Sequence, residues 1–149
     1  MKLRLTLCLI LVVALAGCSA KNRRLTDQQI ASVTYSVDTS SIPKKEITID
    51  RNVFKDIISR GPEVMNIRLV ELFSGTDVPP RYRVMAYNKN GPYEYLGLQV
   101  GDVILAANNY IMRQSSLFPT YVQLLSDTET GSIHIVRQGR EVILDLKIQ

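Results

Sequence analysis

The chain has 149 residues, 46% hydrophobic and 21% charged, which accommodates one domain with appendages and leaves no room for a second core. Its formal charge of +4 falls to +2 if Lys2 and Arg4 leave with an N-terminal leader, too little for a nucleic-acid footprint. One histidine, His134, and two cysteines spell out neither a nucleophile with its base nor a soft-ligand metal site. No glycine loop has phosphate-binding spacing, so no cofactor, metal or small-molecule substrate is expected and catalytic residues are none.

Lys2 and Arg4 precede the apolar run Leu5 to Ala16, which ends in the small residues Ala16-Gly17 before Cys18. The run has the form of a secretory leader and is too short for a comfortable membrane span. Leu15-Ala16-Gly17-Cys18 resembles the bacterial lipobox. That resemblance implies that residues 1–17 are a removed signal peptide and that Cys18 receives a diacylglycerol and then an N-acyl chain such as palmitate. Two lipid chains suffice for stable anchoring. Cys8 departs with the leader, so no disulfide is available even in an oxidising compartment. Ser19 rather than Asp at the next position favours, by analogy, the periplasmic face of the outer membrane. Residues 18–45 read as a lipidated N-terminus and flexible polar tether, with one short extended piece at Ala31 to Val37.

The remaining residues, 46–149, read as one domain. Asp50 is an N-cap, and Val53, Phe54, Ile57 and Ile58 fall at helical spacing before Gly61-Pro62, predicting a helix over 51–60. Val64 to Phe73 and Arg81 to Tyr87 read as strands around a loop at Ser74 to Pro80. Gly91-Pro92 introduces a one-turn helix ending at Gly97, and Gly101-Asp102 turns the chain into a strand over Val103 to Ala107; Gly97, Gly101 and Asp102 are the structural turn. Asn108-Asn109 suits a tight turn. Ser115 or Ser116 caps a helix running to about Ser126, with Leu117, Tyr121, Leu124 and Leu125 on one face. Ser132 to Val136 and Glu141 to Ile148 form a terminal hairpin, which places His134 on a solvent-facing strand position.

The stretch Leu96-Gly97-Leu98-Gln99-Val100-Gly101-Asp102-Val103-Ile104, followed by Asn108-Asn109, resembles the middle of a PDZ domain. The resemblance is to the kind carried by the type II secretion C component, and it spans about Ile47 to Ile148. It implies an α+β, mainly β, PDZ-like partly open β-barrel of five to six strands with two main helices. It also implies a peptide groove between the strand at Arg81 to Tyr87 and the helix after Ser116. On that pattern Arg81, Tyr82, Arg83, Val84, Ala86, Leu117, Tyr121 and Leu124 line the groove, with Arg81 standing where the family's loop has its first glycine. The same side chains could instead close the barrel, and the residues alone leave both readings open. The function implied is a non-catalytic, lipid-anchored periplasmic module that recognises an extended segment of a secretion component or exported protein. The alternative is an envelope scaffold that self-associates or regulates a periplasmic protease.

Overall fold

A computed structural model describes residues 39–72 and 79–149. The expected leader, Cys18, the tether up to residue 38 with its extended piece and most of the 74–80 loop lie outside the described residues, and the last two residues expected in the tether, Lys44 and Lys45, begin a strand. Seven strands form one mixed sheet: β1 (Lys44–Ile49), β2 (Ile67–Leu72), β3 (Arg81–Tyr87), β4 (Val103–Ala107), β5 (Tyr110–Ile111), β6 (Thr130–Arg137) and β7 (Arg140–Ile148). Among the described residues three helices accompany them: α1 (Arg51–Ser59), the one-turn α2 (Pro92–Tyr95) and α3 (Leu117–Leu125). The ladder runs β1-β7-β6-β4-β3-β2, with β5 paired to β4, so the sheet is open and has β1 and β2 at its ends. The arrangement is PDZ-like and mainly β, with seven strands where five to six were expected.

The local chemistry of the elements is direct. Asp50 Oδ1 accepts the Asn52 and Val53 amides at 2.8 and 3.0 Å, which satisfies two of the orphan donors at the start of α1. Phe54 and Ile57, one turn apart, are the residues of α1 that enter the core. Asn108 and Asn109 both take left-handed φ, 46° and 64°, and make the two-residue reversal from β4 into β5. Gly97 and Gly101 also have positive φ, 72° and 98°. At Gly101 a Cβ would meet nothing within 4 Å, so the glycine is needed there for its backbone conformation and not for space.

Three local expectations shift. β2 starts at Ile67 and not Val64, because residues 62–65 are turn, with Met65 N bonded to Pro62 O at 3.1 Å and Met65 O accepting the Tyr93 hydroxyl at 2.7 Å. On α3 the buried residues are Phe118, Val122 and Leu125, while Leu117 and Leu124 are 46% and 61% exposed; the core face is rotated from the one expected. His134 is buried, its Nε2 3.1 Å from Glu141 Oε2, and not solvent-facing.

Inward residues of the sheet, among them Val84, Ile104, Ile133, Ile135, Leu144 and Leu146, meet Phe54, Tyr93, Leu96, Phe118 and Val122 in a single core. Its aromatic part is a row: Tyr87 to Tyr93 at 6.2 Å between centroids, Tyr93 to Phe118 at 5.9 Å and Phe118 to Tyr121 at 6.2 Å. This row couples α2 to α3 across the core.

A candidate strand-docking edge

A strand that ends a ladder keeps one row of backbone N–H and C=O groups without a partner. β3 cannot offer such a row, because β2 pairs with one side of it and β4 with the other. Its Val84 amide also reaches Asp102 O at 2.8 Å, and its Val84 carbonyl takes the Gly101 amide at 2.8 Å. The expected open edge at Arg81 to Tyr87 is therefore corrected: the open edge is β2, Ile67-Arg68-Leu69-Val70-Glu71-Leu72, paired among the described residues with β3 alone. The reason is the strand order, which the local pattern of Arg81 to Tyr87 does not encode.

Each residue expected in the groove now has a place. Tyr82 and Val84 are buried core residues; burial and then the Glu71 carboxylate raise the Tyr82 phenol above its ordinary value. Arg81 and Arg83 alternate with them and are exposed on the outer face of the sheet, so this stretch is regular strand and not a carboxylate-holding loop. Ala86 is exposed and lines a surface hollow with Asn66, Ile67, Arg68, Tyr87 and Asn88, beside the start of β2. Leu117 and Leu124 are exposed on α3. Tyr121 is half-buried: its hydroxyl donates to Ser132 O at 3.0 Å, and burial raises its pKa, opposed by that hydrogen bond. Tyr121 thus braces α3 against β6.

β2 itself presents two faces. Ile67 and Leu69 pack against the core, while Arg68 and Val70 are exposed on the other side. The pairing Leu69↔Val84, Val70↔Arg83 and Leu72↔Arg81 puts Arg83 and Arg81 on the same face as Arg68 and Val70. A register shift at Arg68/Leu69 leaves Met85 as the extra residue of β3, and it is 43% exposed. The turn leading into β2 is fixed from beneath by Tyr93 and by the Asn88 side chain, which donates to Glu63 O. Asn66 N is used within the turn, on Glu63 O at 3.3 Å, so this entry does not offer a run of bare amides to an anion.

The Gly97 to Asp102 turn has a structural role that its neighbours explain. The Asp102 carboxylate is 1% exposed and accepts Gln99 N at 2.8 Å, Arg137 Nε at 2.8 Å and Arg137 Nη2 at 2.7 Å. Arg137 Nη2 also donates to Gly97 O at 2.8 Å. Hydrogen bonding to Asp102 raises Arg137 above its ordinary pKa against the opposing effect of its burial. Arg137, on β6, was not singled out by the sequence; an arginine in a strand carries no local mark of a partner 35 residues away. Among the described residues no group of three or more His, Cys, Asp or Glu could hold a metal ion, and no helix is long and apolar enough to cross a membrane.

No family model matches the chain. Over 116 residues it is 33% identical to a probable periplasmic serine endoprotease, DegP-like, of Pseudomonas putida strain F1, a match covering 78% of this chain and 23% of the relative. The counterpart in P. putida strain W619 is 31% identical with the same coverage. The chain therefore spans less than a quarter of the length of these curated relatives. Among solved structures it is similar to the PDZ domain of EpsC from Vibrio cholerae, with 22% identity, a TM-score of 0.41, and 64% of this chain and 92% of that one covered. It is also similar to the PDZ domain of the pullulanase C protein of the type II secretion system from Klebsiella pneumoniae, solved in complex with fatty acid. There the identity is 18%, the TM-score 0.31, and the coverage 56% of this chain and 86% of that one.

Proposed function

We propose that the domain is a non-catalytic protein-binding module that takes an extended segment of a partner as an added strand on β2. The observation that carries this reading is the place of β2 at the end of the ladder, with an apolar row at Ile67 and Leu69 on one side and a turn held rigid at its entry. Backbone pairing supplies affinity in such an addition, and alternate side chains supply selectivity. The other terminal strand, β1, suits the role less, since Lys44, Lys45 and Glu46 are all exposed and charged edges discourage pairing. The PDZ-like fold and the periplasmic and secretion-system proteins to which the chain is similar are consistent with an envelope location and a protein partner.

A photo-cross-linking residue placed at Val70 should yield adducts with a heterologous envelope protein, mapping to a short segment, whereas one at Lys55 on α1 should not. Adducts confined to a second copy of the chain would favour the scaffold reading, and equal labelling from both positions would remove β2 as the site.

The anchor completes the proposal: residues 1–17 act as signal peptide, Cys18 is lipidated, residues 18–45 tether the domain, and the protein stands on the periplasmic face of the outer membrane. The support is the lipobox-like Leu15-Ala16-Gly17-Cys18. The intact mass of the wild-type protein from envelopes should show an acylated N-terminal cysteine, and Cys18→Ser should accumulate as unacylated precursor. An unmodified Cys18 in the wild type would refute the anchor.

A further inference from the structure

We infer that the segment taken by β2 alternates apolar with acidic residues, so that the partner is an acidic extended strand. The inference rests on the strand-addition reading above and adds the chemistry of what is added. Arg68 lies on β2 itself, exposed, and Arg83 lies on the same outer face one strand away, opposite Val70. Neither takes part in any of the ion pairs formed among the described residues. Arg81, two residues along β3 on this face, lines a hollow with Glu141 toward the start of the strand; Arg68 and Arg83 are the two arginines nearest the middle of the edge.

Successive side chains of an added strand point to opposite faces, and each neighbouring strand lies about 4.8 Å away. Every second residue of the partner therefore comes to the face of Arg68, directly beside it, with Arg83 reaching across Val70 from the next strand. The residues between them fall on the side of Ile67 and Leu69, where apolar side chains are favoured. Glu71, exposed at the far end of β2 opposite Tyr82, would repel an acidic residue on that inner side. Opposite charges across a strand pair stabilise it and like charges destabilise it. The arrangement thus selects acidic residues at one parity and excludes them at the other.

The full-length protein in detergent would be titrated with three nine-residue peptides, alternating Val with Glu, Ser or Lys. The Glu peptide is expected to bind about fivefold tighter than the Ser peptide at low salt, as one cross-strand charge pair with Arg68 and the longer reach of Arg83 would give, with the Lys peptide weakest. The advantage should shrink as salt rises. Arg68→Glu should invert the order of the Glu and Lys peptides, and Arg83→Glu should do so in part; both sites are exposed, and unchanged thermal melts would show that the fold is intact. Equal binding of the Glu and Ser peptides would overturn the acidic preference while leaving strand addition standing. So would a Glu-peptide advantage that survives both charge reversals, because the acids would then be read elsewhere. Failure of all three peptides to bind would sink both the preference and the reading beneath it.

Discussion

Replacing Asp102 with alanine is expected to destabilise the domain by about 3–5 kcal/mol, because it leaves the Arg137 guanidinium enclosed without its counter-charge. Asp102 is 1% exposed and takes both Arg137 nitrogens and the Gln99 amide; after its removal Arg137 keeps only Gly97 O, and Gln99 N has no acceptor. Against a total stability of about 5–15 kcal/mol for an ordinary domain, that loss brings the protein close to unfolding at physiological temperature. Urea melts would measure it, and a loss below about 1 kcal/mol would mean that the pair contributes little. The double variant Asp102→Leu with Arg137→Leu should lose less than Asp102→Ala alone, since no charge is then stranded.

Phe118→Ala is expected to cost about 3–5 kcal/mol, the range for deleting a fully enclosed aromatic. Phe118 has no exposed surface and sits between Tyr93 and Tyr121, so its loss opens a cavity between α2 and α3 and removes two ring contacts. Leu124→Ala on the same helix should cost about 0.5 kcal/mol or less, because Leu124 is 61% exposed. The comparison by chemical melt tests which face of α3 holds the domain together. Similar losses at the two positions would contradict the burial described above.

The elements legible in the sequence are those governed by neighbouring residues. Asp50 before Val53 and Phe54 marked α1, Asn108-Asn109 marked a reversal, and Gly97 with Gly101-Asp102 marked the turn into β4; the backbone angles there follow from what each side chain permits. β5 was missed although the Asn-Asn reversal implies a returning strand. β1 was missed because its first residues, Lys44-Lys45-Glu46, do not alternate. On α3 both Leu117 and Phe118, and both Leu124 and Leu125, are apolar, so the sequence permits two adjacent faces and only packing chooses between them. The candidate site was the least legible part. Whether β2 or β3 is the free edge depends on which strands meet, and neither strand carries that information in its own residues.

The strand order also sets how the molecule would bear mechanical tension. The chain enters the sheet at β1, one end of the ladder, and a partner docked on β2 would hold the other end. A pull between them would be resisted by every ladder in turn. Along the path from β1 to β2 the ladder with the fewest paired residues is β3 with β4, where only Tyr82↔Ile104 and Arg83↔Val103 are in register. Beside that seam, Val84 N bonds Asp102 O and Gly101 N bonds Val84 O, and the Asp102 side chain is gripped by Arg137 from β6. The enclosed ion pair thereby acts as a rivet, fastening the narrowest seam of the sheet to the strand beyond it and spreading a pulling force over three strands.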